Sequence, residues 1–177
     1  MTTAAPVPFT ERLRVVRLDD AAYFAGPLFE ESFKSAFPVP PKGAGWAQYV
    51  AFYRWAGADG DRIEPVGFCN FLPFESLWLE GGLCVRRDFY GRLASPHAEQ
   101  CRAAGGVAQL IMEQAARDLA DCDAWFAYIG DPQSLKVCTR VGYQPTGRGY
   151  VMVRWFRDLD EDRRTHWIER VAALGPF

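Results

Sequence analysis

No C-x-x-C pair occurs in the chain, and its five cysteines (Cys69, Cys84, Cys101, Cys122 and Cys138) are odd in number and widely scattered. Such spacing argues against a disulfide framework and fits thiols kept reduced. His97 and Cys101 stand four apart, but no second pair lies nearby to complete a zinc set, so no metal is expected. Long apolar runs are lacking too: nothing approaches the roughly twenty residues of a membrane helix. The opening MTTAAPVPFTER has no basic segment followed by an apolar one, so no secretory signal is expected. These absences predict a soluble, cytoplasmic protein with no membrane partner. Nor does one sign of charge dominate. Twenty basic and 22 acidic residues give a formal charge of −2, which offers no footprint for nucleic acid. With no internal repeat, low-complexity tract or convincing linker, the 177 residues, 49% of them apolar, are read as a single domain over 1–177.

What is present reads as alternating strand and helix. LRVVRL at 13–18 suits an edge strand, after which Asp19 or Asp20 caps a helix running to Phe33. WAQYVAFYRW at 46–55 and the run at 65–74 flank the polar GADGD turn and predict a hairpin. SLWLEGGLCV extends it to a meander, with Gly81 and Gly82 marking a bulge or a close approach to the backbone. The stretch 86–102 is either a surface loop or a partly helical insertion.

From Gly106 the apolar period becomes helical, with Val107, Leu110, Ile111, Ala115 and Leu119 on one face and Glu113 and Arg117 spaced as an ion pair. WFAYI at 125–129 is a buried strand. Asp131 and Pro132 then cap a helix whose apolar stripe is Leu135, Cys138 and Val141, with Gly142 at its end. A strand at 150–156 and a final helix from Asp160, with Trp167, Ile168, Val171 and Leu174 on one side, complete the chain. That helix covers the sheet or forms a dimer contact. The expected class is α+β, a mixed, mostly antiparallel central sheet flanked by helices.

Two glycines, Gly105 and Gly106, open the amphipathic helix. A helix start has unpaired N–H groups and the positive end of a dipole, and glycine lets a phosphate come close. Either this is a pyrophosphate site or the glycines simply end a loop. It is not a Walker sequence, since no Lys-Ser/Thr follows, and it lacks G-x-G-x-x-G after a strand.

In order and spacing, GLCV, GVAQLIMEQA and DPQSLKVCTRVGY resemble the GNAT family of acetyl-coenzyme A dependent N-acyltransferases over 77–153. The family turn, Arg/Gln-x-x-Gly-x-Gly/Ala, is matched by Gly106 and Ala108, but its leading position falls on Ala103, with Arg102 one residue away. The later Asn-x-x-Ala-x-x-x-Tyr-x-x-x-Gly-Phe segment is matched at Gly142 and Tyr143. Asp131 stands where Asn is usual, Ser134 lies beside the small-residue position, and Cys138 takes the place of the tyrosine.

The resemblance implies acetyl-CoA as acyl donor, no metal, and direct attack by a primary amine on a small molecule or peptide. Its cofactor would lie against Leu83, Cys84 and Val85 of the central strand, the helix start from Arg102 and Ala103 through Gly105, Gly106, Val107 and Ala108, and Asp131 and Ser134. Glu80 is the candidate base, or else a solvent-facing strand carboxylate; Glu75, Glu30 and Glu31 are weaker candidates for contacting the amine.

Cys138 is a candidate acid for the departing thiolate, an apolar stripe residue, or a covalent nucleophile. A thiol near pKa ~8.5 can donate a proton as a phenol near ~10 can, but its reach is shorter. Trp46 and Trp55 either line a substrate pocket or, as aromatic strand-end residues more often do, serve packing. Departures at Ala103, Asp131 and Cys138, with the 86–102 insertion, keep open a non-catalytic acyl-CoA sensor or interaction module. Homodimers are common among proteins of this fold, and a homodimer is compatible with the sequence.

Overall fold

The structure is a computed structural model and describes residues 7–58 and 60–177. Residues 1–6 of the opening segment and Asp59 of the GADGD turn lie outside the described residues. A short helix α1 (Phe9–Arg12) leads into β1 (Leu13–Leu18), then α2 (Ala22–Phe33), β2 (Ala47–Trp55), β3 (Arg62–Phe74) and β4 (Leu77–Val85). The stretch 86–102 is largely helical, forming α3 (Phe89–Arg92) and most of α4 (Ser95–Ala103). Helix α5 (Val107–Leu119), β5 (Ala124–Tyr128), α6 (Pro132–Arg140), the two-residue β6 (Gln144–Pro145), β7 (Val151–Trp155) and α7 (Glu161–Ala172) follow.

The strands form one sheet in the order β1-β2-β3-β4-β5-β7-β6. Every neighbouring pair is antiparallel except β4 and β5, which run parallel. That parallel pairing is short. It runs from Leu77↔Ala124 to Glu80↔Ala127 and stops, while β4 continues to Val85 paired only with β3. Among the described residues, one edge of the second half of β4 therefore has no strand partner, and the sheet opens there.

One face of the sheet carries α1, α4, α5 and α6 over the largest apolar cluster, which includes Phe71, Ile111, Met112, Trp125 and Cys138. On the other face α2 covers Val50, Phe68 and Cys84, and α7 sets Trp167 and Val171 over Leu77, Leu79, Phe126 and Val153. Trp167 is thus a sheet-covering residue. Trp55 is likewise part of the packing: it stacks near Tyr53 and Phe89, with the Arg92 guanidinium 4.3 Å above its ring.

Several sequence expectations are corrected. Leu135 is 42% exposed, because α6 meets the rest of the protein through Val137, Cys138 and Val141. Leu174 is 47% exposed and lies beyond the end of α7. The Glu113–Arg117 pair does not form: Gln109 donates to Glu113 at 2.9 Å, and Arg117 donates to Gln114 at 2.7 Å. Both nitrogens of His97 are engaged, Nε2 donating to the Val7 carbonyl at 2.9 Å and Nδ1 accepting from the Tyr53 hydroxyl at 2.7 Å. It ties the segment before α1 to α4.

Candidate functional site

The sheet opens next to a bulge. Phe71 pairs with Glu80 and Asn70 with Gly82, which leaves Gly81 as an extra residue on β4. A side chain at this residue would displace its neighbours: a Cβ on Gly81 would lie 2.6 Å from Leu72 Cδ1 and 2.7 Å from Asn70 Nδ2. The extra residue also resets the alternation. Trp78 and Glu80 face the α5/α6 side before it, and Leu83 and Val85 rejoin that side after it, while Cys84 turns towards α2.

Two adjoining cavities, which share Phe33, Leu83, Asp131 and Ser134 in their linings, follow the free edge of β4. The outer one, about 670 Å³, passes between the end of α2 at Glu31, Ser32 and Phe33 and the starts of α5 and α6 at Ala108, Gln133 and Ser134. Its floor is Leu83, Cys84 and Val85, and Arg86, Arg87 and Tyr90 stand at its far end. Arg86 is shared with Glu64 and Asp88 at 3.5 Å; Arg87 has no carboxylate partner among the described residues. The inner cavity, about 280 Å³, lies where β4 and β5 part and is bordered by Glu80, Gly81, Gly82, Tyr128, Asp131 and Ser134.

Glu80 is only 8% exposed. Burial raises its carboxyl to about 7, although nearby Tyr143 and Cys138 hold it lower than burial alone would. Cys138, fully buried on α6, donates a long S–H···O contact to Glu80 Oε2 at 3.8 Å. Its thiol is pushed far up by burial and by the adjacent Glu80, so it stays protonated. It touches Glu80 from behind and borders neither cavity. The Tyr143 hydroxyl, also buried, lies close enough to Glu80 to favour its ionised form but makes no hydrogen bond of ordinary geometry among the described residues; burial and Glu80 push it up as well. A carboxyl pushed up to about 7 thus sits beside a thiol and a phenol that both stay neutral, and it borders the inner cavity.

Asp131 is the cap of α6, accepting the amides of Gln133 at 2.9 Å and Ser134 at 3.0 Å. Burial opposes its charge, but the Ser134 side chain and the two amides prevail and hold the carboxyl below its ordinary range. Gly142 ends α6 at φ 98°, with Tyr143 N–H reaching back to the Cys138 carbonyl at 2.9 Å. That turn delivers Tyr143 to Glu80.

Gly105 does the same for α4. It adopts φ 80°, and the following Gly106 N–H donates to the Cys101 carbonyl at 2.9 Å. Gly106 then caps α5. Among the residues assigned from sequence to the helix start, only Ala108 borders the outer cavity; Arg102, Ala103, Gly105, Gly106 and Val107 do not. Tyr90 stands in front, its hydroxyl accepting the Val107 amide at 3.3 Å. Leu83, Cys84, Val85, Asp131 and Ser134 do border it, and Glu80 borders the inner cavity.

Arg87, Tyr90, Phe33 and Tyr128 were not legible as site residues. Nothing in one sequence marks them: Arg87 and Tyr90 belong to the 86–102 insertion, Phe33 to the end of a helix and Tyr128 to the end of a strand. Glu75 points elsewhere, to an ion pair with Arg170. Glu31 borders the outer cavity, whereas Glu30 does not.

No family model matches the chain, and no curated protein matches it. Solved structures do. The ribosomal-protein-S18-alanine N-acetyltransferase of Escherichia coli superimposes with a TM-score of 0.56 at 10% identity, over 85% of this chain and 97% of that one. A GNAT family acetyltransferase of Brucella melitensis, in complex with acetyl-CoA, gives 0.54 at 14% identity, over 84% and 91%. The chain has the GNAT acyl-CoA N-acyltransferase fold.

Proposed function

We propose that the chain transfers an acetyl or other short acyl group from acetyl-CoA to a primary amine by direct attack. The observation that carries this reading is the place of Glu80, a buried carboxyl where β4 leaves β5, bordering the cavity formed there; burial pushes it up to about 7. A base poised near the working pH is what amine acylation needs.

The outer cavity suits a long donor. Its length along Leu83, Cys84 and Val85 presents an unpaired strand edge, which can hydrogen-bond an amide-containing arm. Arg87 and the Ala108 end of α5 offer positive charge and helix dipole to phosphate at the far end. Acetyl-CoA supplies the electrophilic carbonyl carbon and a sulfur leaving group. As the amine nitrogen bonds to that carbon and the C–S bond breaks with its electron pair on sulfur, Glu80 takes the proton that nitrogen sheds, directly or through one water. The departing thiolate recovers a proton from solvent, since Cys138 lies behind Glu80 and its thiol is held protonated. Cys138 and Tyr143 act here as positioning residues for the base.

A second reading, a non-catalytic acyl-CoA sensor or interaction module, draws on one observation: the Tyr90 phenol occupies the Val107 amide at the α5 start. Incubation with acetyl-CoA and a panel of amines, following thiol release and product mass, separates the two. Amine-dependent thiol release with a matching acetylated product is expected. No release with any amine would overturn the enzymatic reading.

A further inference from the structure

The inner cavity carries information about the acceptor. On the α2/α7 side of the sheet it is bordered by three aromatic rings, Phe33, Tyr128 and Phe177. They are set by different elements. Phe33, at the end of α2, stacks on Phe29 with centroids 4.5 Å apart and lies against β4, where a Cβ on Gly82 would meet its ring at 3.4 Å. Tyr128, at the end of β5, meets Tyr150 at 5.7 Å and Phe177 at 6.5 Å. Phe33 and Tyr128 are both exposed in part, so each ring keeps surface towards the cavity that a ligand can touch.

Charge is scarce in the same place. Among the described residues bordering the inner cavity, the carboxylate side chains are Glu80 and Asp131. Asp131 is already committed to the amides of Gln133 and Ser134. Of the side-chain carboxylates, Glu80 is therefore the one left for the acceptor nitrogen. A polyamine or aminoglycoside would bring further ammonium groups into a small, ring-lined space with no second free side-chain carboxylate to pair them, at a desolvation cost. A cavity of about 280 Å³ admits a fragment-sized body, and the three rings favour a flat apolar one by stacking, with added attraction for its single ammonium on approach.

We propose that the acceptor enters from the α2/α7 side and is a small primary amine carried on an aromatic body, seated between Phe33, Tyr128 and Phe177 with its nitrogen at Glu80. This rests on the acyl-transfer reading. The acyl donor, by contrast, lies along the outer cavity, so the two substrates approach the gap from different directions.

The test compares 2-phenylethylamine, spermidine and an alanine-initiated tetrapeptide as acceptors for the full chain, together with direct titration of acetyl-CoA. The expected kcat/KM for 2-phenylethylamine exceeds that for spermidine and for the peptide at least tenfold. Tyr128→Ala raises its KM about tenfold, Tyr128→Phe restores it, and acetyl-CoA affinity moves less than twofold in both. If acetyl-CoA binds but spermidine or the peptide is the better acceptor, or no aryl amine turns over, the acceptor inference is wrong while donor binding stands. If acetyl-CoA does not bind, the acyl-transfer reading itself fails and the inference with it.

Discussion

Replacing Glu80 by Gln should change stability and activity together, with a signature in pH. The folded chain holds this carboxyl at about 7 against an ordinary 4.5. At about 1.4 kcal/mol per pH unit, that difference is worth ~3 kcal/mol. The sign follows from proton counts. Between the two values the folded chain keeps the proton and the unfolded chain has lost it, so stability falls as pH rises through this window and levels off above the folded value.

Glu80→Gln keeps the shape and removes the titration. Relative to the native chain it should gain ~3 kcal/mol between pH 4.5 and pH 8, roughly 6–12 °C in Tm for a chain of this size. Cys138 and Tyr143, both pushed upward, do not titrate in that range and leave the difference undisturbed. Urea unfolding followed by tryptophan fluorescence at several pH values measures it. In parallel, kcat/KM should fall about 10²-fold or more and lose its acid limb near 7. Equal pH dependence of stability in the two proteins, or an acid limb that survives the substitution, would refute the placement of the base.

Cys138→Ala should retain most activity while losing ~1 kcal/mol of stability from the small void; loss of all turnover in a folded variant would instead make the thiol a catalytic group. Tyr143→Phe removes a hydroxyl that favours the ionised Glu80, so the acid limb of kcat/KM should move to higher pH, read from a full profile. Gly81→Ala should cost about 1–3 kcal/mol in denaturant titration, because its Cβ meets Leu72 and Asn70 well inside contact distance.

Most of the sheet could be read from the sequence because its signals are local. LRVVRL, the hairpin about GADGD and the Asp131-Pro132 start of α6 carry their own periodicity, turn or cap. The predicted bulge at Gly81 and Gly82 forms at Gly81. Burial of Leu135 and Leu174 was expected from helical spacing, but spacing does not reveal how long a helix stays in contact with the sheet. The insertion at 86–102 was the least legible segment. Its helices pack by long-range contacts, Phe89 against Tyr53 and Trp55 and His97 against Tyr53, and Tyr90 beside Phe89 thereby reaches the α5 start. The candidate site divides the same way. Glu80 and the β4 floor followed from strand alternation and family order, whereas the aromatic border is assembled from α2, β5 and Phe177, which lie far apart in sequence.

Isothermal titration with acetyl-CoA tests the central claim most directly, using the native chain, Ser134→Trp, which fills the place where the two cavities meet, and Leu135→Trp as its exposed neighbour. Micromolar binding to the native chain and to Leu135→Trp, abolished in Ser134→Trp, is the predicted result. Absence of binding to the native chain, or equal affinity in all three, would contradict a donor held along the free edge of β4.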